Sequence, residues 1–255
     1  MTPSPIPRVL FIFRKHNIRA LLIGGQAAIL YGGAEFSRDI DFAVAVSSRN
    51  LHKVRKALDE LGAEQIFFPS LSAKALRKGH ACHFRCRDTK AFRLRIDIIG
   101  KLRGTAPFKR LWKRRQIVRL PNAGTIAVLS LPDLVQSKKT QRDKDWLMIR
   151  RLVEADILRH AATNDRVKIK FWLLECRTAD LLCELAYRYS DCARRLIARR
   201  PLLKHALRGN TDRVESLLRD EEMRERAADK KYWKPLRKDL EEMRRCRNAS
   251  PLTDS

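Results

Sequence analysis

In the first part of the chain, segments with the apolar spacing of a helix alternate with segments that have the apolar pattern of a strand. The segment RVLFIFRKHN (8–17) predicts a short helix, because the preceding Pro7 is tolerated in a first helical turn. The run ALLIGG (20–25) predicts a buried strand, and DIDFAVAV (39–46) predicts a second one with partial alternation. Residues 25–31 between them are compatible with a helix. The pattern therefore predicts a strand, a glycine turn, a helix and a strand.

The middle of the chain continues with one helix and two pairs of strands. In NLHKVRKALDELG (50–62) the apolar residues lie on one helical face and Gly62 ends the helix. HACHFRCRD (80–88) and FRLRIDIIG (92–100) predict paired strands joined by a turn in RDTKA (87–91). RQIVRL and TIAVLS predict a second pair around the turn PNAG (121–124).

The chain from Leu131 onward has the spacing of helices. The polar segment AATNDR (161–166) divides this part, so we predict one domain at 1–160 and a helical domain at 161–255. Within the second domain we expect helices at 168–207, 211–228 and 235–246, with a break near 232–235. The predicted fold class is α/β (α+β), a mixed sheet flanked by helices and followed by a helical C-terminal domain.

Charge adds a prediction about the partner. The chain carries 55 Lys and Arg against 29 Asp and Glu, a formal charge of +26, which attracts polyanions over long range. Between Lys101 and Leu120 there are eight basic residues and no acid, with Phe108 and Trp112 among them. Basic and aromatic residues together favour nucleic acid as the partner. A basic surface that merely keeps the protein soluble is the alternative.

Hydropathy and cysteine content bear on the compartment. No apolar run reaches the roughly 18 residues of a membrane span, and the stretch Val9 to Phe13 ends in charged residues, so neither a span nor a signal peptide is expected. The six cysteines show no tight spacing, which favours reduced thiols. We therefore expect a soluble cytoplasmic protein without a membrane partner.

The segment GGQAAILYGGAEFSRDIDFAV (24–44) carries the clearest candidate chemistry. Gly24 and Gly25 close a strand and open a helix, where small residues let phosphate groups approach the backbone and the helix N-terminus attracts negative charge. Asp39 and Asp41 alternate with Ile40 on a strand, so both carboxylates project from one face and could share divalent cations. Magnesium prefers such oxygen ligands.

A third carboxylate is expected on a neighbouring strand, and Asp97 supplies it. Ile96 and Ile98 point to the opposite, core-facing side, which leaves Asp97 without an obvious structural need. In a site with two Mg²⁺ ions, one ion holds a nucleoside triphosphate and the other activates an attacking hydroxyl, so that in-line displacement releases pyrophosphate. Asp97 is then the candidate general base.

These residues together resemble the polymerase-beta-like minimal nucleotidyltransferases, specifically the AbiEii-like branch of toxin–antitoxin and phage-defence systems. The likeness covers residues 18 to about 155. It rests on the glycine pair, on SRDID (37–41) with Ser37 where the family often has Thr, on Asp97, and on LPDLVQSKKTQRDKDW (131–146). Gly25 departs from the family, which often has Ser there.

The resemblance implies roles for further residues. Ser37, Gly24 and Gly25 would bind the nucleotide, Lys138 would face the triphosphate, and Arg142, Lys144 and Asp145 would border the nucleotide pocket. The implied activity is a nucleotidyltransferase (EC 2.7.7-type) that moves a nucleoside monophosphate onto an RNA end such as tRNA. A toxin role would bring an antitoxin partner.

Several alternatives stay open on the sequence alone. Asp39 and Asp41 could be solvated strand-end residues, and Asp97 could pair with Arg93 or Arg95. The basic residues at 138–144 could form an ordinary solvated helix face. The acceptor could be a protein or a small hydroxyl compound, or the fold could bind nucleic acid or a partner protein without turnover. His80, Cys82, His83 and Cys86 give a poor zinc geometry, since His83 falls on the other face of a strand.

Overall fold

The computed structural model describes residues 5–121 and 123–249 of the chain. The strands are β1 (Ala20–Ile23), β2 (Asp39–Val44), β3 (Glu64–Phe67), β4 (Ala81–Arg85), β5 (Arg95–Ile99), β6 (Gln116–Leu120) and β7 (Gly124–Val128). The helices are α1 (Ile6–Lys15), α2 (Gly24–Leu30), α3 (Ser48–Glu60), α4 (Ala73–Lys78), α5 (Phe108–Lys113), α6 (Leu131–Ser137), α7 (Asp143–Arg159), α8 (Arg166–Glu175), α9 (Ala179–Arg188), α10 (Ser190–Leu196), α11 (Leu203–Ala206) and α12 (Thr211–Ala249).

The seven strands form one mixed sheet in the order β3-β4-β5-β2-β1-β7-β6. β2 runs parallel to β5, and β1 runs parallel to β7, while every other neighbouring pair is antiparallel. One face of the sheet packs on helices, as shown by Phe13 of α1, whose ring stacks on Phe42 of β2 with centroids 4.2 Å apart. The predicted class, a mixed sheet flanked by helices and followed by helices, is confirmed.

The residues group into two compact units. The first contains the sheet and comprises the described parts of 1–27, 36–134 and 231–255. The second comprises 28–35 and 135–230, and its core is helical, with Trp172 and Leu173 buried. The indole nitrogen of Trp172 donates a hydrogen bond of 2.7 Å to Asp156 inside this core. The division into sequence domains at 1–160 and 161–255 stays a prediction.

Most predicted elements are present, with shifted ends. β1, β2, α1 and α3 lie where the apolar spacing placed them, and β4 pairs antiparallel with β5 as predicted. The connection between β4 and β5 spans 86–94, longer than the predicted turn at 87–91. The predicted PNAG turn includes residue 122, which lies outside the described residues.

Two predictions about the helical region are wrong. The segment 168–207 is divided into four helices, because α9 begins after Thr178, α10 begins after Tyr189, and Pro201 lies between α10 and α11. The predicted break near 232–235 is absent, and α12 continues through Pro235. A proline inside a helix costs about 3 kcal/mol or more, because it removes a hydrogen bond and crowds the preceding turn.

Contacts within the first unit hold the second half of α12 in place. Asp239 accepts hydrogen bonds of 2.6 Å from Lys78 and 2.6 Å from His80, and the side chain of His80 is 1% exposed. The hydroxyl of Tyr232 lies against Gly79 at the end of α4. These tertiary contacts on both sides of Pro235 favour helix where the local sequence favours a break.

Candidate active site on the acid face of the sheet

The turn from β1 into α2 is built around Gly24. Its φ of +66° is a left-handed conformation that suits glycine, and a Cβ at this position would collide with the carboxylate of Asp41. A Cβ on Gly25 would collide in the same way with the hydroxyl of Ser37. The glycine pair therefore lets Asp41 and Ser37 pack directly on the backbone of the turn.

Side chains of α2 and of the following loop fix the start of β2. Gln26 donates hydrogen bonds to the backbone carbonyls of Ser37 at 3.1 Å and Asp39 at 3.4 Å, and the Ser37 hydroxyl donates to the same Asp39 carbonyl at 3.1 Å. Ser37 thus positions the strand that carries Asp39 and Asp41.

The three predicted carboxylates lie on one face of the sheet. β2 and β5 pair in a register that sets Asp41 opposite Asp97 and Asp39 opposite Arg95, and β4 sets His83 opposite Asp97. The intervening Ile40 and Ile96 are 0% exposed, so they point into the core on the other side. We call Asp39, Asp41, Asp97, Arg95 and His83 the acid face.

Asp97 is bonded through both carboxylate oxygens. Arg95 binds it in a bidentate fashion, from Nε to Oδ1 at 2.8 Å and from Nη2 to Oδ2 at 2.7 Å. Nδ1 of His83 lies 2.8 Å from Oδ1 and donates a hydrogen bond to it in the tautomer that carries hydrogen on this nitrogen, because an ionised carboxylate only accepts. The alternative in which Asp97 pairs with Arg95 is therefore confirmed.

These contacts control the ionisation of the pair. Burial by itself raises the pKa of Asp97, but the hydrogen bonds from His83 and Arg95 outweigh it and hold the pKa below its usual value. The hydrogen bond to Asp97 raises the pKa of Arg95 despite burial, and the charges of Asp39 and Asp41 raise it further. Asp97 and Arg95 are both ionised at neutral pH.

The carboxylate oxygens of the acid face are suitable ligands for a magnesium ion, but their arrangement does not form a complete binding site. Carboxylates on adjacent strands are the oxygen ligands that Mg²⁺ prefers. Among residues 5–121 and 123–249, however, no group of three His, Cys, Asp or Glu side chains is arranged to hold a metal. Asp39, whose side chain is 42% exposed, offers a carboxylate that a cation can reach from solvent.

Lys138, Arg142 and Lys144, predicted to bind the nucleotide, belong to the second unit. Lys138 and Arg142 bind the carboxylate of Asp145, at 3.3 Å and 2.7 Å, and that side chain is 1% exposed. Thr140 donates a further hydrogen bond of 2.6 Å to Asp145. We call Lys138, Thr140, Arg142 and Asp145 the cap cluster, because they fix the start of α7. Lys144 is exposed. The predicted contacts of the three basic residues with a nucleotide stay predictions.

The basic stretch 101–120 contains the short helix α5, which the sequence analysis did not assign. Phe108 and Trp112 stack on this helix with ring centroids 5.7 Å apart. The guanidinium groups of Arg115 and Arg19 lie 4.3 Å and 5.1 Å from the centre of the Trp112 ring. Arg114 binds Asp133 and is therefore structural. Contact of this basic surface with nucleic acid stays a prediction.

His83, which the sequence suggested only as a poor zinc ligand, is the residue of the acid face whose contact with Asp97 was not predicted. The predicted pairing of strands 80–88 and 92–100 implied that some residue of the first strand lies opposite Asp97, because an antiparallel register places the residues of two strands in opposite pairs. The exact register depends on the length of the connection, and the predicted turn was too short to give it.

Comparison with known proteins finds remote structural likenesses. No family model and no curated protein matches the chain. TM1012 of Thermotoga maritima, a candidate nucleotidyltransferase, superposes with a TM-score of 0.38 at 18% identity, over 60% of this chain and 88% of its own. JHP933 from Helicobacter pylori superposes with a TM-score of 0.34 at 13% identity, over 95% of this chain and 93% of its own. The fold class therefore rests on the strand order and register described above.

Within the described residues, none of the helices is both long and apolar enough to cross a membrane.

Proposed function

We propose that the chain is a magnesium-dependent nucleotidyltransferase that moves a nucleoside monophosphate from a nucleoside triphosphate to an acceptor. The observation that carries the proposal is the acid face, where three aspartates share one side of the sheet. Beside it, the turn at Gly24 and Gly25 packs closely on Asp41 and Ser37. This combination is what a site for phosphoryl chemistry requires.

In this proposal the residues of the acid face have different roles. Asp39 and Asp41 would hold Mg²⁺, which would offset triphosphate charge and lower the pKa of an attacking hydroxyl. The glycine turn leaves its backbone open to a phosphate group. Asp97 is ionised at neutral pH, and because Arg95 and His83 bind both of its oxygens, one of these contacts must open before Asp97 accepts a proton.

The acceptor that we propose is an RNA end such as tRNA. A formal charge of +26 favours a polyanion over a small cationic compound. The α5 surface supports this choice, because arginines beside an aromatic ring suit contacts with both the backbone and the bases of a single strand.

Transfer of label from each α-labelled nucleoside triphosphate tests the proposal. Purified chain is incubated with Mg²⁺ and with total RNA or protein, and the products are separated on a gel. We expect label on RNA with the wild type and none with Asp39→Asn plus Asp41→Asn. Label on protein would replace RNA as the acceptor, and absence of label from both would contradict the proposal for these acceptors.

A binding module without turnover is the second candidate, and one observation favours it. Both oxygens of Asp97 are held by Arg95 and His83, which is also how a sheet without catalytic activity would stabilise a buried acid. Retention of RNA by both the wild type and the double variant, with no nucleotide incorporated by either, would support this candidate.

Because the sequence resembles AbiEii-like proteins, we also propose that the protein is a cytoplasmic toxin whose activity an antitoxin partner inhibits. Inducible expression in bacteria tests that role. We expect growth arrest with the wild type and normal growth with Asp39→Asn plus Asp41→Asn. Equal growth of the two strains at equal expression would contradict a toxin role that depends on the acid face.

A further inference from the structure

The helices of the second unit surround a polar cavity of about 500 Å³. Of the described residues that line it, five are basic and three are acidic, so its walls carry an excess of two positive charges. The volume lies within the range of small-molecule sites, about 300–1,000 Å³. Charged groups are costly to bury unless opposite charge compensates them, so the walls of this cavity favour an anionic ligand.

Two arginines form the inner wall of the cavity. The side chains of Arg177 and Arg200 are 10% and 4% exposed, and both bind Oε2 of Glu221, at 2.7 Å and 2.9 Å. One carboxylate therefore compensates two guanidinium groups. Burial, and next the charge of Arg200, lower the pKa of Arg177, because the positive form is desolvated and the two positive charges repel each other.

Neutral groups hold both guanidinium groups in place. Arg177 donates a hydrogen bond of 2.7 Å to the backbone carbonyl of Leu218 and lies 5.0 Å from the centre of the Trp146 ring. Arg200 donates to two further backbone carbonyls, each at 3.0 Å. These partners orient the arginines without neutralising them, so the cavity is positively charged and ordered before a ligand arrives.

Three further basic residues line the cavity. Lys139 is 14% exposed and binds Glu175 at 2.8 Å. Arg199 and Arg224 are exposed and form its rim. Each arginine offers five N–H donors in a planar fork whose geometry matches the oxygens of a phosphate group. The rim arginines therefore attract an anion toward the inner pair.

We propose that this cavity binds the phosphate group of a small molecule, between the inner pair Arg177 and Arg200 and the rim pair Arg199 and Arg224. A phosphate monoester carries about −1.5 to −2 charge at pH 7, which matches the excess charge of the walls. An internal phosphate of RNA has the same oxygens but a single charge, and sugars flank it on both sides. Inner side chains that are at most 10% exposed favour the smaller ligand. The lining residues include none of the acid face, so this proposal does not depend on nucleotidyl transfer.

Isothermal titration calorimetry with inorganic phosphate and with pyrophosphate tests the proposal. The buffer contains no divalent metal ions, so that the acid face does not bind these probes through a metal. We expect the wild type to bind one pyrophosphate per chain with a Kd below about 1 mM, and inorganic phosphate more weakly at the same site. Arg199→Gln plus Arg224→Gln should raise both Kd values at least about tenfold, because the rim donors are lost.

The matched control is Arg194→Gln plus Arg219→Gln. It removes the same charge from two exposed arginines of the second unit that do not line the cavity. At physiological ionic strength its Kd values should stay within about twofold of the wild type, because salt screens distant charges. Circular dichroism and unfolding midpoints establish that each variant is folded, and the single variants Arg199→Gln and Arg224→Gln replace a double variant that is not.

A short single-stranded RNA without a terminal phosphate group distinguishes the two sources of phosphate. We expect the rim double variant and its control to change the affinity for this RNA equally. A loss at the rim that affects the RNA but neither small probe would assign the arginines to nucleic acid and overturn the proposal. Absence of saturable binding of both small probes to the wild type, or equal weakening in the two double variants, would also overturn it.

Discussion

The acid face and the cap cluster differ in the ratio of acidic to basic side chains and in the exposure of their carboxylates. On the acid face three aspartates meet one arginine and one histidine, and Asp39 keeps 42% of its side chain exposed. In the cap cluster a single aspartate, Asp145, is 1% exposed and is bonded by Lys138, Thr140 and Arg142. The acid face thus contains three carboxylates and two basic side chains, whereas the cap cluster contains one carboxylate and three donor residues.

Asp145 is a buried carboxylate bound by three donors, and its removal would leave buried positive charge uncompensated. Asp39, by contrast, has a partly exposed carboxylate that a cation can reach from solvent. Sequence motifs assigned candidate roles to both 37–41 and 131–146, and the carboxylates of these segments differ in exposure: Asp145 is 1% exposed, whereas Asp39 is 42% exposed.

Removing two acids from the acid face is expected to have the largest effect. Asp39→Asn plus Asp41→Asn should lower nucleotidyl transfer at least about 1000-fold, equivalent to about 4 kcal/mol of activation free energy, because metal ligands are lost. The matched control is Asp59→Asn plus Asp191→Asn, which removes two exposed acids elsewhere and should leave transfer intact. An equal loss in both double variants would contradict the comparison.

Asp145→Ala should act on stability. Its removal leaves Lys138, only 11% exposed, without its carboxylate, and breaking a buried ion pair in this way costs about 3–5 kcal/mol of unfolding free energy. Denaturant unfolding measures the loss. Lys144→Ala, at an exposed neighbour, should stay within about 0.5 kcal/mol of the wild type. A stable Asp145→Ala would show that the cap cluster is not structural.

Gly24→Ala should introduce both backbone strain and a steric clash between the new methyl group and Asp41. The left-handed backbone alone costs about 1–2 kcal/mol for alanine, and the new methyl group would also push Asp41 from its place. Gly209→Ala isolates the strain, because Gly209 has a φ of +68° and no atom lies within 4 Å of the place that its methyl group would take. We expect Gly24→Ala to lose more stability than Gly209→Ala and also to lower transfer. Equal losses of stability would mean that Asp41 does not pack on the turn.

The pH dependence of Asp97 is the smallest expected effect. Its pKa is lower in the folded chain than the usual value of about 4, so the unfolded chain binds the proton more readily. Asp97 therefore adds stability above about pH 4, and this contribution is lost as pH falls below that value. In metal-free buffer, the stability difference between wild type and Asp97→Asn should shrink from about pH 6 to about pH 3. A difference that stays constant with pH would contradict the assigned bonds.

Sequence patterns predicted the parts of the fold in which burial follows a simple period. The alternation at 39–44 and 95–99 predicted which residues of β2 and β5 face the core. Ile40, Ile96 and Ile98 are buried there, as predicted. The same alternation predicted that Asp39 and Asp41 share a face. β3 was not predicted because all four of its residues are at least partly exposed, and α4 because it has only six residues.

Other features depend on contacts between residues far apart in sequence. Pro235 and its neighbours have the composition of a break, yet Asp239 and Tyr232 contact residues 78–80 and the helix continues. In the same way, the pairing of Asp97 with Arg95 was one of two alternatives in the sequence. His83 could be placed beside them only when the register of β4 and β5 was known.

Pyrophosphate release tests the central claim most directly, because nucleotidyl transfer forms one pyrophosphate for each monophosphate incorporated. The assay measures pyrophosphate, free phosphate and incorporated α-label together, with Mg²⁺, each nucleoside triphosphate and RNA. The account predicts equal amounts of pyrophosphate and incorporated label from the wild type, and neither from Asp39→Asn plus Asp41→Asn. Free phosphate without incorporation, or products that persist in the double variant, would contradict it.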